Sequence, residues 1–207
     1  MKGKFIVFEG IEGTGKTTQI NRLNEFLQEK GVVTYLTKEP GGTPLGKHIR
    51  QILQNEITEA PSSMAEILLF LADRAHHVSN YIKPALERGE WVLCDRFEES
   101  TFAYQGHGRG LDLAELIELN NFATNGLTAN LTILLDIRVD ISLSRLAGRG
   151  NELDRIEREK RDFHERIRNG YLERAESFTD GSHVIINAEA HLDVVYQEVL
   201  RSIERFF

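Results

Sequence analysis

The chain has 207 residues, of which 41% are hydrophobic and 28% charged, and it carries a formal net charge of −7. That length suits one α/β domain with a full core, and the acidic balance argues against a broad nucleic-acid surface, which needs a basic face. An anionic ligand would have to be drawn in by a few locally placed arginines. No apolar run reaches membrane-spanning length and no basic-then-apolar leader opens the chain, so no membrane partner is expected. The single Cys94 has no cysteine partner for an internal disulfide, which fits a reducing cytoplasm. The seven histidines are scattered without metal-ligand spacing, and adjacent His76 and His77 fall on different sides of a helix, so they read as structural or surface residues.

The first predicted element is a buried strand over residues 5–9. It runs into Gly10-Ile11-Glu12-Gly13-Thr14-Gly15-Lys16-Thr17-Thr18, which meets the phosphate-loop pattern G-x-x-x-x-G-K-[ST] at every fixed position. Residues 16–30 then read as a helix with Ile20, Leu23, Phe26 and Leu27 on one face. Glycines 10, 13 and 15 let the backbone curl so that successive N–H groups converge on phosphate oxygens at the positive end of the helix. Lys16 is then placed for the β- and γ-phosphates, and the Thr17 hydroxyl for Mg²⁺.

A second strand is expected at 32–37, followed by Glu39-Pro-Gly-Gly-Thr43, which reads as a loop leading into a helix N-cap. Residues 61–87 read as one long helical region. Within it Phe70 lies in the apolar stretch 67–71 and by composition alone reads as core. Arg74 follows at i+4, so both side chains share a helix face and could enter one pocket.

The strand predicted at 91–95 ends in Asp95, followed by Arg96: a carboxylate for Mg²⁺ beside a cation for a second phosphate group. Asp136, at the end of a strand predicted over 131–137, is the rival, and Asp95 is preferred because Arg96 adjoins it. Helices are expected at 113–124, 139–147, 157–178 and 191–207, with a last strand at 183–187. Residues 148–155 are polar, glycine-bearing and dense in charge, and read either as a mobile flap or as a plain connection. Alternating strands and helices predict a parallel five-stranded sheet with helices on both faces, and each chemical signal follows a strand, where such sheets bind ligands. A phosphoryl group in transfer needs cations around it. An acceptor that is itself a phosphate needs no base, so the missing general base suits a nucleoside monophosphate kinase.

At this point the chain resembles the bacterial thymidylate kinases along nearly its whole length. The resemblance rests on residues 8–18 and 37–46, on Phe70-Leu-Ala-Asp-Arg74 and on Asp95-Arg96-Phe97. It continues through residues 100–110, with Tyr104-Gln105-Gly-His-Gly-Arg109-Gly, and Glu152-Leu-Asp-Arg155-Ile-Glu157. It implies a P-loop NTPase fold, one kinase domain over residues 1–207 and a mobile lid near 148–156. It further implies transfer of a phosphoryl group from ATP to dTMP with Mg²⁺, in dTTP biosynthesis, by a cytoplasmic homodimer. The apolar stretches 67–71 and 117–122 could supply the dimer interface or could equally be core.

The resemblance also assigns roles. Phe70 is similar to the ring that stacks on thymine, Arg74 to the donor for the base's O4 edge, and Thr101 to a polar base contact. Gln105 falls with them on the dTMP side, and Tyr104 resembles the ring that crowds the sugar C2′. Arg96 resembles the arginine that holds the monophosphate between acceptor and donor, with Glu39, Arg50 and Arg109 nearby. Glu12 matches an acidic loop residue near the acceptor's sugar and phosphate. Arg149 and Arg155 are expected in the lid over the ATP phosphates, and the lid spacing leaves open which of them meets the γ-phosphate. Phe97 stands where members often have Tyr or His. For adenine, Arg145 and the turn at Asn187 and Ala188 are candidates by position.

Overall fold

The structure is a computed structural model and describes residues 3–54, 60–148, 150 and 153–207. Five strands, β1 (Phe5–Glu9), β2 (Thr34–Lys38), β3 (Trp91–Asp95), β4 (Leu131–Asp136) and β5 (His183–Asn187), form one sheet in the order β2-β3-β1-β4-β5. Every pairing is parallel, as the predicted P-loop NTPase arrangement requires. The three inner strands are buried almost throughout because helices cover both faces, which is why they read as continuous apolar runs. Alternation shows only in where their side chains go. Phe5 and Val7 pack with Val78, Ile82, Val92 and Phe97 on one face, and Ile6 and Phe8 pack with Leu23, Leu27, Ile133 and Val199 on the other. Each such side chain contributes about 1.5–3 kcal/mol on full burial.

Helix α1 (Lys16–Glu29) follows the loop after β1, and α2 (Pro44–Gln54) follows the loop after β2. The Thr43 hydroxyl accepts from Gly46 N at 2.9 Å, capping α2 as the Glu39–Thr43 pattern suggested. Helix α2 itself was not among the predicted elements: Gly46 weakens its opening turn, although Thr43 and Pro44 stand at the N-cap and first helical positions that start a helix. The long region expected at 61–87 divides into α3 (Ser63–His77), a π-helical turn (Val78–Ile82) and α4 (Lys83–Glu87). The break has a local cause: Pro84 lacks the N–H that an unbroken α-helix would need there.

After β3 come a short α5 (Glu98–Thr101) and a second π-helical turn (Phe102–Gly108), neither legible as an element beforehand, then α6 (Leu113–Thr124) and α7 (Val139–Ala147). Helix α8 (Arg161–Glu176) begins later than expected. Asp154 Oδ1 accepts from Ile156 N at 2.9 Å and Glu157 N at 2.8 Å, and so holds a turn ahead of it. Helix α9 (Leu192–Ile203) ends in a 3₁₀ turn (Glu204–Phe206). No helix among the described residues is long and apolar enough to cross a membrane.

Candidate active site

A cleft of about 650 Å³ opens at the carboxyl ends of β1, β2 and β3 and is lined by residues of the phosphate loop, of the Glu39–Thr43 stretch and by Asp95 and Arg96. One wall is the loop after β1. Gly10 has φ +133°, and a Cβ there would lie 2.4 Å from the Leu135 carbonyl oxygen, so only glycine fits. Gly15 sits at φ +89° as the N-cap of α1, and among the described residues no side chain caps the first turn. The helix therefore opens with unclaimed N–H donors and its positive dipole end toward the cleft, a site suited to phosphate. Lys16 Nζ donates to the carbonyls of Gly10 and Ile11 at 2.9 and 3.0 Å. Burial, and then the charge of Arg96, pull its pKa down to about 8.

The two candidate carboxylates, Asp95 and Asp136, have different surroundings. The Thr17 hydroxyl donates to Asp95 Oδ2 at 3.2 Å, so the two residues expected at a metal stand together beneath the loop. Asp136 is instead gripped by Arg168 through both oxygens, at 2.7 and 2.8 Å, and is committed to that ion pair. Among the described residues no group of three or more His, Cys, Asp or Glu could hold a metal. A hydroxyl and a carboxylate are hard oxygen donors. They suit Mg²⁺, which takes few protein ligands and completes its shell with phosphate oxygens and water.

Arg96 occupies the centre of the cleft with a left-handed backbone, φ +72°, unusual for a residue with a side chain. Its Nη2 donates to Glu12 Oε1 at 2.7 Å, and its Nη1 donates to Tyr171 OH at 2.9 Å and Ser100 Oγ at 3.3 Å. Tyr104 OH donates to the same Glu12 oxygen at 2.6 Å. Burial alone would raise the Glu12 carboxyl, but the charges of Arg96 and Lys16 outweigh it and hold the pKa below the usual range. Beneath lies Glu9, fully buried at the end of β1. It accepts from Phe97 N, Ser100 N, Ser100 Oγ and Tyr171 OH. Glu9 thus pins the backbone turn that carries Arg96. Sequence reasoning passed over Glu9, Ser100 and Tyr171. Its one available signal was a carboxylate closing an otherwise apolar strand.

Phe70 and Arg74 both face the cleft from α3, as their i,i+4 spacing allows. Arg74 is 2% exposed. It donates to Glu39 Oε2 (2.7 Å), Thr101 Oγ1 and Asn120 Oδ1 (both 2.8 Å) and the Phe97 carbonyl (2.7 Å). Four of its five N–H donors are thus spent among the described residues, leaving one on Nη2. Glu39 Oε1 lies 2.9 Å from His77 Nδ1, whose Nε2 lies 2.6 Å from Thr37 Oγ1, so His77 is a structural residue of the pocket floor. Arg50 donates to the Pro40 carbonyl at 3.0 Å and lines the cleft, as do Thr101, Tyr104 and Gln105.

Two expected residues, Arg155 and Arg109, fall elsewhere. Arg149 lies outside the described residues. Arg155 does not line the cleft: its Nη2 pairs with Glu66 Oε2 and its Nε donates to the Leu53 carbonyl at 3.1 Å, because the turn at 154–157 directs it toward α2 and α3. Arg109 likewise turns to Glu66 Oε1 at 3.4 Å and to Glu159 rather than into the cleft. Arg145 bridges the Gly13 carbonyl (2.9 Å) and the Ala188 carbonyl (3.3 Å), joining the phosphate loop to the turn after β5.

Comparison with known proteins adds an independent line. The family model described as "Thymidylate kinase" matches residues 8–199. The chain is 46% identical over 208 residues to a thymidylate kinase of Nostoc punctiforme, with 97% of each chain covered. It is 52% identical over 175 residues to one of Carboxydothermus hydrogenoformans, covering 84% of this chain and 85% of that protein. A thymidylate kinase of Desulfovibrio desulfuricans is 47% identical over 199 residues, with 93% and 92% covered.

Proposed function

The chain belongs to the thymidylate kinase family and phosphorylates dTMP to dTDP with ATP, and from that premise we propose which of its residues carry the transfer. ATP phosphates sit on the N–H groups of residues 10–18, with Lys16 neutralising charge on the transferred group. The Thr17 hydroxyl and the Asp95 carboxylate would hold Mg²⁺, which would supply positive charge to the phosphate oxygens. dTMP lies across the cleft, its base between Phe70 and the Arg74–Thr101–Gln105 edge, with the remaining Arg74 N–H free to donate. Tyr104 stands against the sugar, held by its bond to Glu12. Glu39 fixes Arg74, and Arg50 supplies cationic charge at the mouth of the acceptor side.

Arg96 carries this reading. It joins the loop through Glu12, lines the same cleft as Phe70 and Arg74, and is fixed from three sides. A guanidinium there meets the acceptor phosphate and stays with it as charge spreads over the equatorial oxygens. The acceptor oxygen is already anionic and needs no base. The residues then act by holding two phosphate groups in line, and such positioning alone can offset several kcal/mol of the barrier. Arg149 is the lid cation for the donor phosphates.

We place this activity in a single domain with a lid near residues 148–156, in the cytoplasm, where one buried free thiol, Cys94, is stable. A homodimer is supported by the exposed apolar residues Met64 and Leu68 on α3 and Ile117 and Phe122 on α6, of which Phe122 is 88% exposed. The test is a coupled assay for ADP with Mg-ATP and, separately, dTMP, dUMP, dGMP, dCMP or thymidine. Turnover with dTMP alone supports the pocket assignment. Comparable turnover with another acceptor would keep the loop chemistry and overturn the pocket.

A further inference from the structure

We propose that Glu66 is a positioning residue that ties the lid segment to the thymine pocket, and that Arg155 acts through it on the acceptor side of the cleft rather than on the ATP phosphates. Glu66 precedes Phe70 by one helical turn and Arg74 by two, so all three lie along one face of α3. It is 2% exposed. Its Oε1 accepts from Gln105 Nε2 at 3.0 Å and Arg109 Nε at 3.4 Å, and its Oε2 accepts from Arg155 Nη2. Burial would raise this carboxyl, but its bonds to Arg155 and Gln105 hold it below the usual range, so it remains an anion.

The partners explain what the anion does. Gln105 lines the cleft beside Thr101 and Tyr104, and its amide is oriented by Glu66. Arg155 lies in the last part of the lid segment, and its backbone N–H donates to the Gln54 carbonyl at the end of α2 while its Nε donates to the Leu53 carbonyl. Arg109 reaches Glu159 on the far side of the same turn. Two cations therefore link one buried carboxylate to the end of the lid segment, through Arg155, and to Glu159 just after it, through Arg109, and that carboxylate also sets a side chain of the base pocket. A buried anion whose guanidinium partner is removed is left uncompensated, and its remaining contacts must rearrange. Removing Arg155 should thus disturb Gln105 and the base, not the donor phosphates.

This inference rests on the assignment of Phe70 and Arg74 to thymine. It is tested by measuring the dTMP dissociation constant by calorimetry without ATP, together with kcat and the KM for ATP. The proteins are the full chain, Phe70→Ala, Arg155→Ala, Arg155→Met, Glu66→Gln and the Arg155→Ala/Glu66→Gln pair. The expected result is about a tenfold weaker dTMP affinity for each Arg155 and Glu66 variant, an ATP KM within twofold of the parent, and a double variant no worse than the singles. A γ-phosphate role predicts the opposite split: unchanged dTMP affinity without ATP, with lowered kcat or raised ATP KM in Arg155→Ala. That result overturns the proposal, as do additive effects in the pair or unchanged dTMP affinity in Glu66→Gln. If Glu66→Gln does not fold, the two Arg155 variants decide. Normal dTMP binding by Phe70→Ala would instead overturn the pocket assignment itself.

Discussion

The guanidinium of Arg96, just past the end of β3, donates to the Glu12 carboxylate inside the phosphate loop at 2.7 Å, and each side chain is 16% exposed. The pair bridges the two halves of the cleft, so the residue proposed for the acceptor phosphate is oriented by the loop proposed for the donor. Arg96→Ala is expected to lower kcat by about 10²–10³-fold, the usual cost of losing one preorganised donor at a transition state. The ATP dissociation constant should change little. Single-turnover kinetics beside equilibrium ATP binding check this, and a kcat within tenfold of the parent would remove Arg96 from the transfer.

Asp95 and Thr17 meet at 3.2 Å, while Asp136 is occupied by Arg168. Asp95→Asn should therefore raise the Mg²⁺ concentration needed for half-maximal rate by at least about tenfold, since a neutral amide is a poorer ligand for a hard cation. Asp136→Asn should leave that requirement unchanged. Titration of rate against free Mg²⁺ at saturating ATP and dTMP separates the two, and a reversal of their effects would move the metal to β4.

Arg149 and Arg155 should differ in kind. Arg149→Ala is expected to lower kcat by about 10³-fold or more, the scale at which a transferred phosphoryl group depends on an arginine supplied from a closing segment. Its KM for dTMP should hold. Steady-state kinetics in both substrates test this, and normal turnover would exclude Arg149 from the donor phosphates.

Glu98 accepts from Asn120 Nδ2 at 2.7 Å, and Asn120 in turn accepts from Arg74, so a titrating carboxyl stands two bonds behind the base pocket. Burial, and then the charge of Glu99, raise its pKa from 4.5 to about 7. A carboxyl raised on folding is held more tightly as the neutral acid in the native state. The stability it contributes is fully present below about pH 4.5 and is lost as pH rises through about 7. Glu98→Gln, which cannot ionise, should melt a few degrees above the parent at pH 8 and match it near pH 5. Thermal melts across that range test the sign, and a Gln variant less stable at pH 8 than at pH 5, relative to the parent, would contradict it.

The inner strands were legible because burial on both faces demands unbroken apolar runs. The phosphate loop was legible because its glycines, lysine and threonine must stand at set spacings for one backbone curl to hold a phosphate. The i,i+4 relation of Phe70 and Arg74 was legible for the same reason, since one helix face is a local property. Helix α2 and the first π-helical turn were not, because Gly46 and Pro84 weaken the local pattern while packing holds the elements in place.

The sequence by itself determined the alternation of buried strands and helices that a parallel sheet needs, the anion-binding loop and the shared helix face of Phe70 and Arg74, each a pattern among near neighbours in the chain. Only the tertiary structure decided which charges meet. Arg168 takes Asp136 and leaves Asp95 to Thr17, Tyr171 and Glu9 fix Arg96, and Glu66 claims Arg155 from 89 residues away. The reason is physical. A buried charge must find a partner, and many arginines in the chain could answer each carboxylate; the choice belongs to the packed geometry that brings one of them within hydrogen-bond reach.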